Sequence, residues 1–141
     1  MNRNDLPPDL AGFLDQWIAD PRGVKDGFLS LLDHLAGQPG TRLAFKARPG
    51  VSYSLRAGRS GEDGTGGGEP ALLALIDVID DPDGPWLSVC FYEDLISDPE
   101  DRGEMIPGGI LGEDGYCFNL ENRDPELLEY LRARLDEAWS G

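Results

Sequence analysis

The chain has 141 residues, 40% hydrophobic and 28% charged, which suits one globular domain. Its 27 acidic residues outnumber its 12 basic residues, so the net charge is −15. The basic residues are scattered singly along the sequence, so no cationic stripe is predicted, and neither nucleic acid nor an anionic membrane is expected as a partner.

The amino-terminal residues MNRNDLPPDL lack the apolar stretch of a signal peptide, and no apolar run approaches the roughly 20 residues of a membrane span. Cys90 and Cys117 are the only cysteines, too few for a disulfide framework. These features predict a soluble protein in a reducing, cytoplasmic setting and leave the redox state of the two cysteines open.

Two amphipathic helices are predicted near the amino terminus. Apolar residues recur at helical spacing across residues 10–18 and again across residues 24–35. Asp20 and Pro21 suit the N-cap and first turn of the second helix, and Gly37 suits its end. We therefore expect an αα-hairpin.

Residues 41–57 predict a pair of strands, because apolar and polar side chains alternate through both halves. Pro49-Gly50 between them favours a bulge or a loop wider than two residues. Residues 58–70 then contain six glycines in thirteen residues, which predicts a flexible loop. A phosphate-binding glycine motif requires a helix directly after the glycines, whereas Pro70 and a predicted strand follow here. No cofactor is therefore expected.

The two most apolar segments, ALLALIDVI at 71–79 and WLSVCFY at 86–92, predict adjacent buried strands joined by a hairpin. Their composition suggests that both faces of the sheet are covered. The acidic turn at 80–84 does not fit a calcium loop, because Ile79 and Cys90 would occupy positions that require carboxylates.

Residues 93–114 predict a long apolar connection that packs on the sheet and shields part of its second face. A fifth strand follows around Tyr116, Phe118 and Leu120, and Asp124-Pro125 predicts the start of a final helix. The expected fold is α+β, a single domain over residues 1–141. An antiparallel sheet of about five strands packs against an amino-terminal helical hairpin and a carboxy-terminal helix.

This element order resembles that of small bacterial YdhG/YjbR-like domains. The resemblance rests on RLAFKARPGVSYSLRAG, on LLALIDVID followed by WLSVCFY, and on GYCFNLENRDPELLEYLRARLDEAW. It covers about the last two-thirds of the chain and implies a domain of largely unassigned function. Some members of that family are suspected DNA-binding proteins, but the net charge of −15 disfavours DNA binding by this chain.

No catalytic motif was found, so the sequence predicts a non-catalytic binding or regulatory module. It is expected to contact a protein or a small ligand through residues 93–114. The predicted contact residues are Glu93, Asp94, Asp98, Ile106, Gly108, Gly109 and Ile110. Packing of the two isoleucines onto the sheet is the simpler interpretation of their apolar character.

Other interpretations were also considered for the acidic cluster, for an edge strand, for the histidine and for the cysteines. Glu93, Asp94 and Asp98 could serve a metal-assisted hydrolase. The segment 51–57 could act as an edge strand that forms a homodimer. His34, the only histidine, has no partner motif for catalysis. The two cysteines are expected to be buried structural thiols that could approach each other if their strands pair.

Overall fold

The computed structural model describes residues 6–38, 40–59, 71–110 and 112–140, which form three α-helices, six strands and one short 3-10 turn. Two helices come first, four strands follow, and a strand pair and a helix end the chain. In chain order the elements are α1 (Pro8–Gln16), α2 (Lys25–Ala36), β1 (Thr41–Arg48), β2 (Ser52–Arg59), β3 (Ala71–Ile79), β4 (Trp86–Tyr92), the 3-10 turn Glu93–Leu95, β5 (Glu104–Ile110), β6 (Glu113–Leu120) and α3 (Pro125–Ser140).

The strands form one sheet in the order β1-β2-β3-β4-β6-β5, and all neighbours are antiparallel. The predicted α+β class is confirmed, with six strands rather than about five. The additional strand is β5, which occupies part of the segment predicted as a connection. It lies at an edge of the sheet, where a proline such as Pro107 is tolerated because it needs no partner for an N–H group.

The edge strands of the sheet are β1 and β5. Residues 52–57, predicted to lie at an edge, belong to β2, which pairs with β1 on one side and β3 on the other. The edge-strand interpretation of 51–57 was therefore wrong. Alternation alone could not reveal it, because a strand's neighbours depend on residues far away in sequence.

The loop between β1 and β2 has three residues, because Arg48 pairs directly with Ser52. Gly50 has a φ of 83°, a conformation that glycine adopts at no steric cost, so the prediction of a loop wider than two residues is confirmed. Gly58 and Arg59 complete β2 rather than start a loop. The other residues of the predicted glycine-rich loop, 60–70, lie outside the described residues.

The helix starts depend on two aspartates. Asp124 caps α3 as predicted, since its carboxylate accepts a hydrogen bond from the Leu127 N–H at 3.1 Å. Helix α2 begins at Lys25, later than predicted, after a turn at 21–22. The Asp20 carboxylate still serves the start of α2, because it accepts hydrogen bonds from the N–H groups of Val24 and Lys25 at 3.0 Å each.

All three helices pack on one face of the sheet, and the hydrophobic core lies between them and that face. Val78 and Val89 are 1% and 0% exposed, so the predicted burial of the two central strands is confirmed on this face. Burying each large apolar side chain contributes about 1.5–3 kcal/mol. Buried side chains that represent the helices and strands are Leu10, Phe28, Leu31, Leu131, Leu135, Leu55, Ile76, Phe91 and Phe118.

The second face of the sheet is not covered as the sequence suggested. Residues 96–103 pack beside α3 instead: the Ser97 N–H donates to the Glu137 carboxylate at 2.7 Å, and the Glu100 N–H donates to the Tyr130 hydroxyl at 3.1 Å. The connection was expected to shield part of the second face; residues 96–103 do not, whereas Ile110 lies over Gly115 on that face, since a Cβ atom on Gly115 would be 2.8 Å from the Ile110 side chain. Polar groups of the connection reach the side chains of α3, which decides where it lies.

Candidate functional site

The face of the sheet opposite the helices, called here the open face, carries a mixed set of side chains. Its centre is a band of half-buried apolar and polar residues on β3 and β4, which pair directly with each other. Toward β5 and β6 the face ends in more exposed side chains. Its residues from β3, β4, β6 and β5 are Leu75, Asp77, Ile79, Trp86, Ser88, Cys90, Tyr92, Cys117, Asn119, Glu104 and Ile106.

Positive charge is concentrated at the β1 side of the open face. Residues 41–59 contain five basic residues and no acidic residue, so the rest of the chain has a net charge of −20. Arg59 turns to the helices, where its guanidinium donates to the Trp139 carbonyl oxygen at 2.5 Å. The other four share the open face and are called here the basic edge: Arg42, Lys46, Arg48 and Arg56.

The interpretation that basic residues are scattered singly was therefore wrong in three dimensions. The signal was available in the sequence, because a segment with five bases and no acid is conspicuous in a chain with 27 acids. Strand alternation then puts Arg42, Lys46 and Arg48 on the same side of β1. Their positive charges therefore lie on one face, although the three residues are spread over seven positions of the chain.

The basic edge is not neutralised by ion pairs in the part of the chain that the structure describes. Arg42, Lys46 and Arg48 are exposed, and no salt bridge or hydrogen bond involves their side chains. Most of the bases elsewhere have internal partners. The described ion pairs of arginine are Arg22–Asp81, Arg102–Asp124, Arg132–Glu129 and Arg134–Glu137.

A polar cluster lies between the basic edge and the centre of the open face. Ser54 pairs across strands with Asp77, and Arg56 follows on the same face of β2. Burial raises the pKa of Asp77, and the Ser54 hydroxyl and the charges of Arg56 and Arg48 offset part of this effect. Ser54 Oγ, Arg56 Nε and Asp77 Oδ1 are buried without a hydrogen-bond partner.

Two of the predicted contact residues lie at an acidic corner of the sheet. Glu93 and Asp94, in the 3-10 turn after β4, line a cavity of about 370 Å³ together with Glu113 and Asp114. Tyr92 lies beside them, and burial together with the charge of Glu113 raises its pKa. Within residues 6–38, 40–59, 71–110 and 112–140, no three His, Cys, Asp or Glu side chains converge as metal ligands.

Asp98 lies away from Glu93 and Asp94 and is fully engaged in hydrogen bonds. Tyr116 donates to it at 2.5 Å, Tyr130 donates to its other oxygen, and the N–H groups of Arg102 and Gly103 complete the set. Burial alone would raise the pKa of Asp98, but these four bonds outweigh it and hold the pKa well below its ordinary value. The Asp98 carboxylate thus anchors residues 98–103 to β6 and α3.

The pKa values of Tyr116 and Tyr130 reflect the same hydrogen bonds to Asp98. The hydrogen bond to Asp98, helped by burial, raises the pKa of Tyr116 to about 12. Burial and the hydrogen bond to Asp98 also raise the pKa of Tyr130. Because both hydroxyls already donate to a carboxylate, they are held as neutral donors, which is a structural role.

The four remaining predicted contact residues belong to β5 and have separate positions. Ile110 is 5% exposed and packs against β6, whereas Ile106 is 39% exposed on the open face. Gly108 has a φ of 65° and donates its N–H to the Asp114 carboxylate at 3.1 Å. A Cβ atom on Gly109 would lie 2.5 Å from Ile106, so this glycine is needed for the irregular course of β5.

Ile106 borders a second cavity, of about 310 Å³, at the β5 end of the open face. Most of its lining residues are polar, and Cys117 of the cysteine pair is among them. The lining residues are Ser88, Arg102, Gly103, Glu104, Ile106, Cys117 and Asn119. The structure therefore connects part of the predicted 93–114 contact segment to the open face.

Cys90 and Cys117 face each other on β4 and β6 and form a disulfide, with their Cα atoms 4.1 Å apart. Their side chains are half-buried on the open face, and the Ser88 hydroxyl lies 3.4 Å from Cys90 Sγ. The prediction of two buried structural thiols was therefore wrong, although their expected approach across paired strands is confirmed. Composition alone could not establish this, because pairing of β4 with β6 brings together residues 27 positions apart.

His34 has a structural partner outside the open face. Its Nε2 lies 2.8 Å from Asp136 Oδ1, which also accepts a hydrogen bond from the Gln38 side chain at 2.6 Å. These contacts join α2 to α3. No serine or cysteine nucleophile is among the described contacts of His34.

Comparison of the chain with protein-family models, with curated proteins and with solved structures gives no match. The resemblance to YdhG/YjbR-like domains therefore stays a prediction. Among the described helices, none is long and apolar enough to cross a membrane. The function must be inferred from the site itself.

Proposed function

We propose that this protein is a non-catalytic binding module whose contact surface is the open face, including Glu104 and Ile106 of the predicted 93–114 segment. One observation supports the proposal above the others: three helices cover one face of a six-stranded sheet, and no described helix covers the other. Half-buried apolar side chains at the centre of that face, with charges at its margin, resemble the layout of a protein–protein interface.

A protein partner fits this surface better than nucleic acid. The basic edge offers four positive charges, whereas the rest of the chain carries a net charge of −20, which repels an extended polyanion. The central residues Leu75, Ile79 and Trp86 offer apolar area that a protein surface can bury.

Binding is favoured over the metal-assisted hydrolase for a geometric reason. Asp98 makes its hydrogen bonds with Tyr116 and Tyr130, away from the cavity that Glu93 and Asp94 line. The three carboxylates that the hydrolase would need are therefore separated. No observation favours this alternative specifically.

The cytoplasmic setting is part of the same proposal and has a consequence for the cysteines. Disulfides seldom persist in the cytosol, where thiols are kept reduced. In that setting the Cys90–Cys117 bond would open and close with the redox state of the cell. Thiol alkylation of the protein in intact cells, followed by mass spectrometry, should find a reduced fraction; complete oxidation would contradict the cytoplasmic setting.

The binding role can be tested with two variants of adjacent residues on β5. Ile106→Ser alters the open face, whereas Met105→Ser alters the opposite side of the same strand; Met105 is 50% exposed. Immobilised wild-type protein and both variants are compared for the proteins that they retain, with circular dichroism to check folding. We expect Ile106→Ser to lose partners that Met105→Ser keeps.

The same experiment can also refute the proposal. If Ile106→Ser and Met105→Ser retain the same proteins in the same amounts as the wild type, the open face is not the contact surface. Ile110→Ser is unsuitable here because Ile110 is buried, and a buried serine would destabilise the fold.

A further inference from the structure

We infer that the open face is covered by the open face of a second copy of this chain, related by a twofold axis parallel to the strands. The inference rests on the proposed function and names the partner of that surface. It depends on the distribution of charge across the sheet, on the side chains that the symmetry brings together, and on the area available.

The charges on the open face separate across the strand order. The basic edge lies on β1 and β2, and the acidic side chains Glu104 and Glu113 lie on β5 and β6 at the other side of the face. Glu104 is exposed, as are Arg42 and Lys46. One sheet face therefore carries both a positive and a negative margin, which makes it complementary to itself.

Symmetry decides which margins meet. When two sheets face each other about a twofold axis parallel to the strands, β1 of one copy lies over β5 of the other. An in-plane axis perpendicular to the strands would instead superpose β1 on β1, and the like charges of Arg42, Lys46 and Arg48 would repel. Only the parallel axis brings Glu104 between Arg42 and Lys46 of the second copy.

The same axis matches the centre of the face. It passes between β3 and β4, so β3 of each copy lies over β4 of the other. Leu75 pairs in register with Cys90, and Ile79 with Trp86. Across the interface Leu75 then meets the disulfide, and Ile79 meets the Trp86 ring, so apolar side chains bury one another.

The polar residues at the centre of the face also match in this arrangement. Asp77 pairs in register with Ser88 within one sheet, so the symmetry places Ser88 of the second copy opposite Asp77. Polar side chains therefore face polar side chains across the interface, and neither is buried against apolar area of the other copy.

The area is sufficient for a dimer. Six strands spaced about 4.8 Å apart, each about seven residues long, give a face of roughly 650 Å² per copy. Specific interfaces bury about 1,200–2,000 Å² in total, so two such faces reach the lower end of that range. Each copy has a net charge of −15, and this repulsion is screened beyond about 8 Å at physiological ionic strength.

The first measurement is the mass of the protein by sedimentation equilibrium at about 0.15 M ionic strength. We expect a reversible dimer with a dissociation constant in the micromolar range, as for interfaces of modest area. A monomer at about 100 μM protein overturns the inference, because an interface of this area should associate at that concentration.

Charge exchange between the margins tests the geometry. Lys46→Glu and Glu104→Lys should each weaken self-association by about tenfold or more, since each change occurs twice in a symmetric dimer. An equimolar mixture of the two variants should dimerise as well as the wild type, because the introduced glutamate of one copy faces the introduced lysine of the other. Arg123→Glu, an exposed change outside the open face, is the matched control and should leave the dissociation constant unchanged.

Each outcome has a definite consequence. If the mixture associates no better than the separate variants, β1 does not meet β5, and the inferred dimer is wrong. A dimer that survives both Lys46→Glu and Glu104→Lys would lie elsewhere, for example at the edge of β1, and would also refute the inference. If the wild type is monomeric but Ile106→Ser still loses captured proteins, the proposed function stands with a different partner.

Discussion

The two faces of the sheet differ in what stabilises them. On the covered face, side chains such as Ile76, Val89 and Phe118 are almost completely buried against three helices. On the open face, residues that alternate with them along the same strands are half-buried and include Asp77, Ser88 and a disulfide. A difference of one position along a strand therefore decides whether a side chain contributes to folding or is available for contact.

The comparison shows how an acidic chain can present a basic surface. The covered face needs apolar residues, so four of the five charged side chains of β1 and β2 lie on the open face, and only Arg59 turns to the helices. Because residues 41–59 contain no acidic residue, every charged side chain of β1 and β2 is positive. Net charge is thus a poor guide to the charge of a particular surface.

The largest expected effect is on stability. Truncating two adjacent residues of β3, one on each face of the sheet, compares how much each face contributes to the free energy of unfolding. Ile76→Ala should lower the free energy of unfolding by about 4 kcal/mol, because it leaves a cavity in the core. Leu75→Ala, on the open face, should cost about 1 kcal/mol. Urea unfolding followed by circular dichroism measures both values, and equal costs would contradict the assignment of the two faces.

The disulfide is the strongest covalent contribution on the open face. It closes a separation of 27 residues, so replacing both Cys90 and Cys117 with serine should lower the free energy of unfolding by about 3 kcal/mol. Chemical reduction of the wild type should have a similar effect. Urea unfolding with and without reductant is the measurement, and unchanged stability on reduction would show that the bond is absent in solution.

The smallest effect concerns Asp98, which links a polar connection to the covered side of the sheet. Its pKa is lower in the folded state than the ordinary 3.8. Its contribution is therefore present above pH about 4 and is lost as the pH falls toward the folded pKa. Asp98→Asn should lower stability at pH 7 by about 2 kcal/mol because charged hydrogen bonds are weakened.

The pH dependence separates this carboxylate from the other acids. Stability of the wild type should fall from pH about 4 to about 2, and Asp98→Asn should show a shallower fall, because that variant has lost one of the groups that titrate. Asp94→Asn, at an exposed position, is the control and should follow the wild type. Identical acid profiles for Asp98→Asn and the wild type would show that this carboxylate contributes little to the fold.

Much of the fold could be predicted because its signals are local. The bounds of β3 and β4 match the two apolar segments, and α3 begins where Asp124 and Pro125 indicate. Strand β5 was missed because Pro107, Gly108 and Gly109 weaken any strand pattern. Its pairing with β6, at an edge where proline is tolerated, is a long-range event.

The candidate site was only partly predictable. Of the predicted contact residues, Ile106 lies on the open face and Glu93 lines the acidic corner, whereas Asp98 and Ile110 have structural contacts in the fold. The basic edge was missed because the charges were considered along the chain rather than across the strands. The disulfide required the pairing of β4 with β6, which no local pattern indicates.

The amino-acid sequence by itself determined the class of fold, the central hairpin and the capped final helix, because periodicity, turns and caps act within a few residues. Tertiary structure alone decided which face the helices cover, which cysteines meet and where the unpaired positive charges collect. These features depend on contacts between residues far apart in the chain. Such contacts form, and contribute to stability, only when the sheet has assembled.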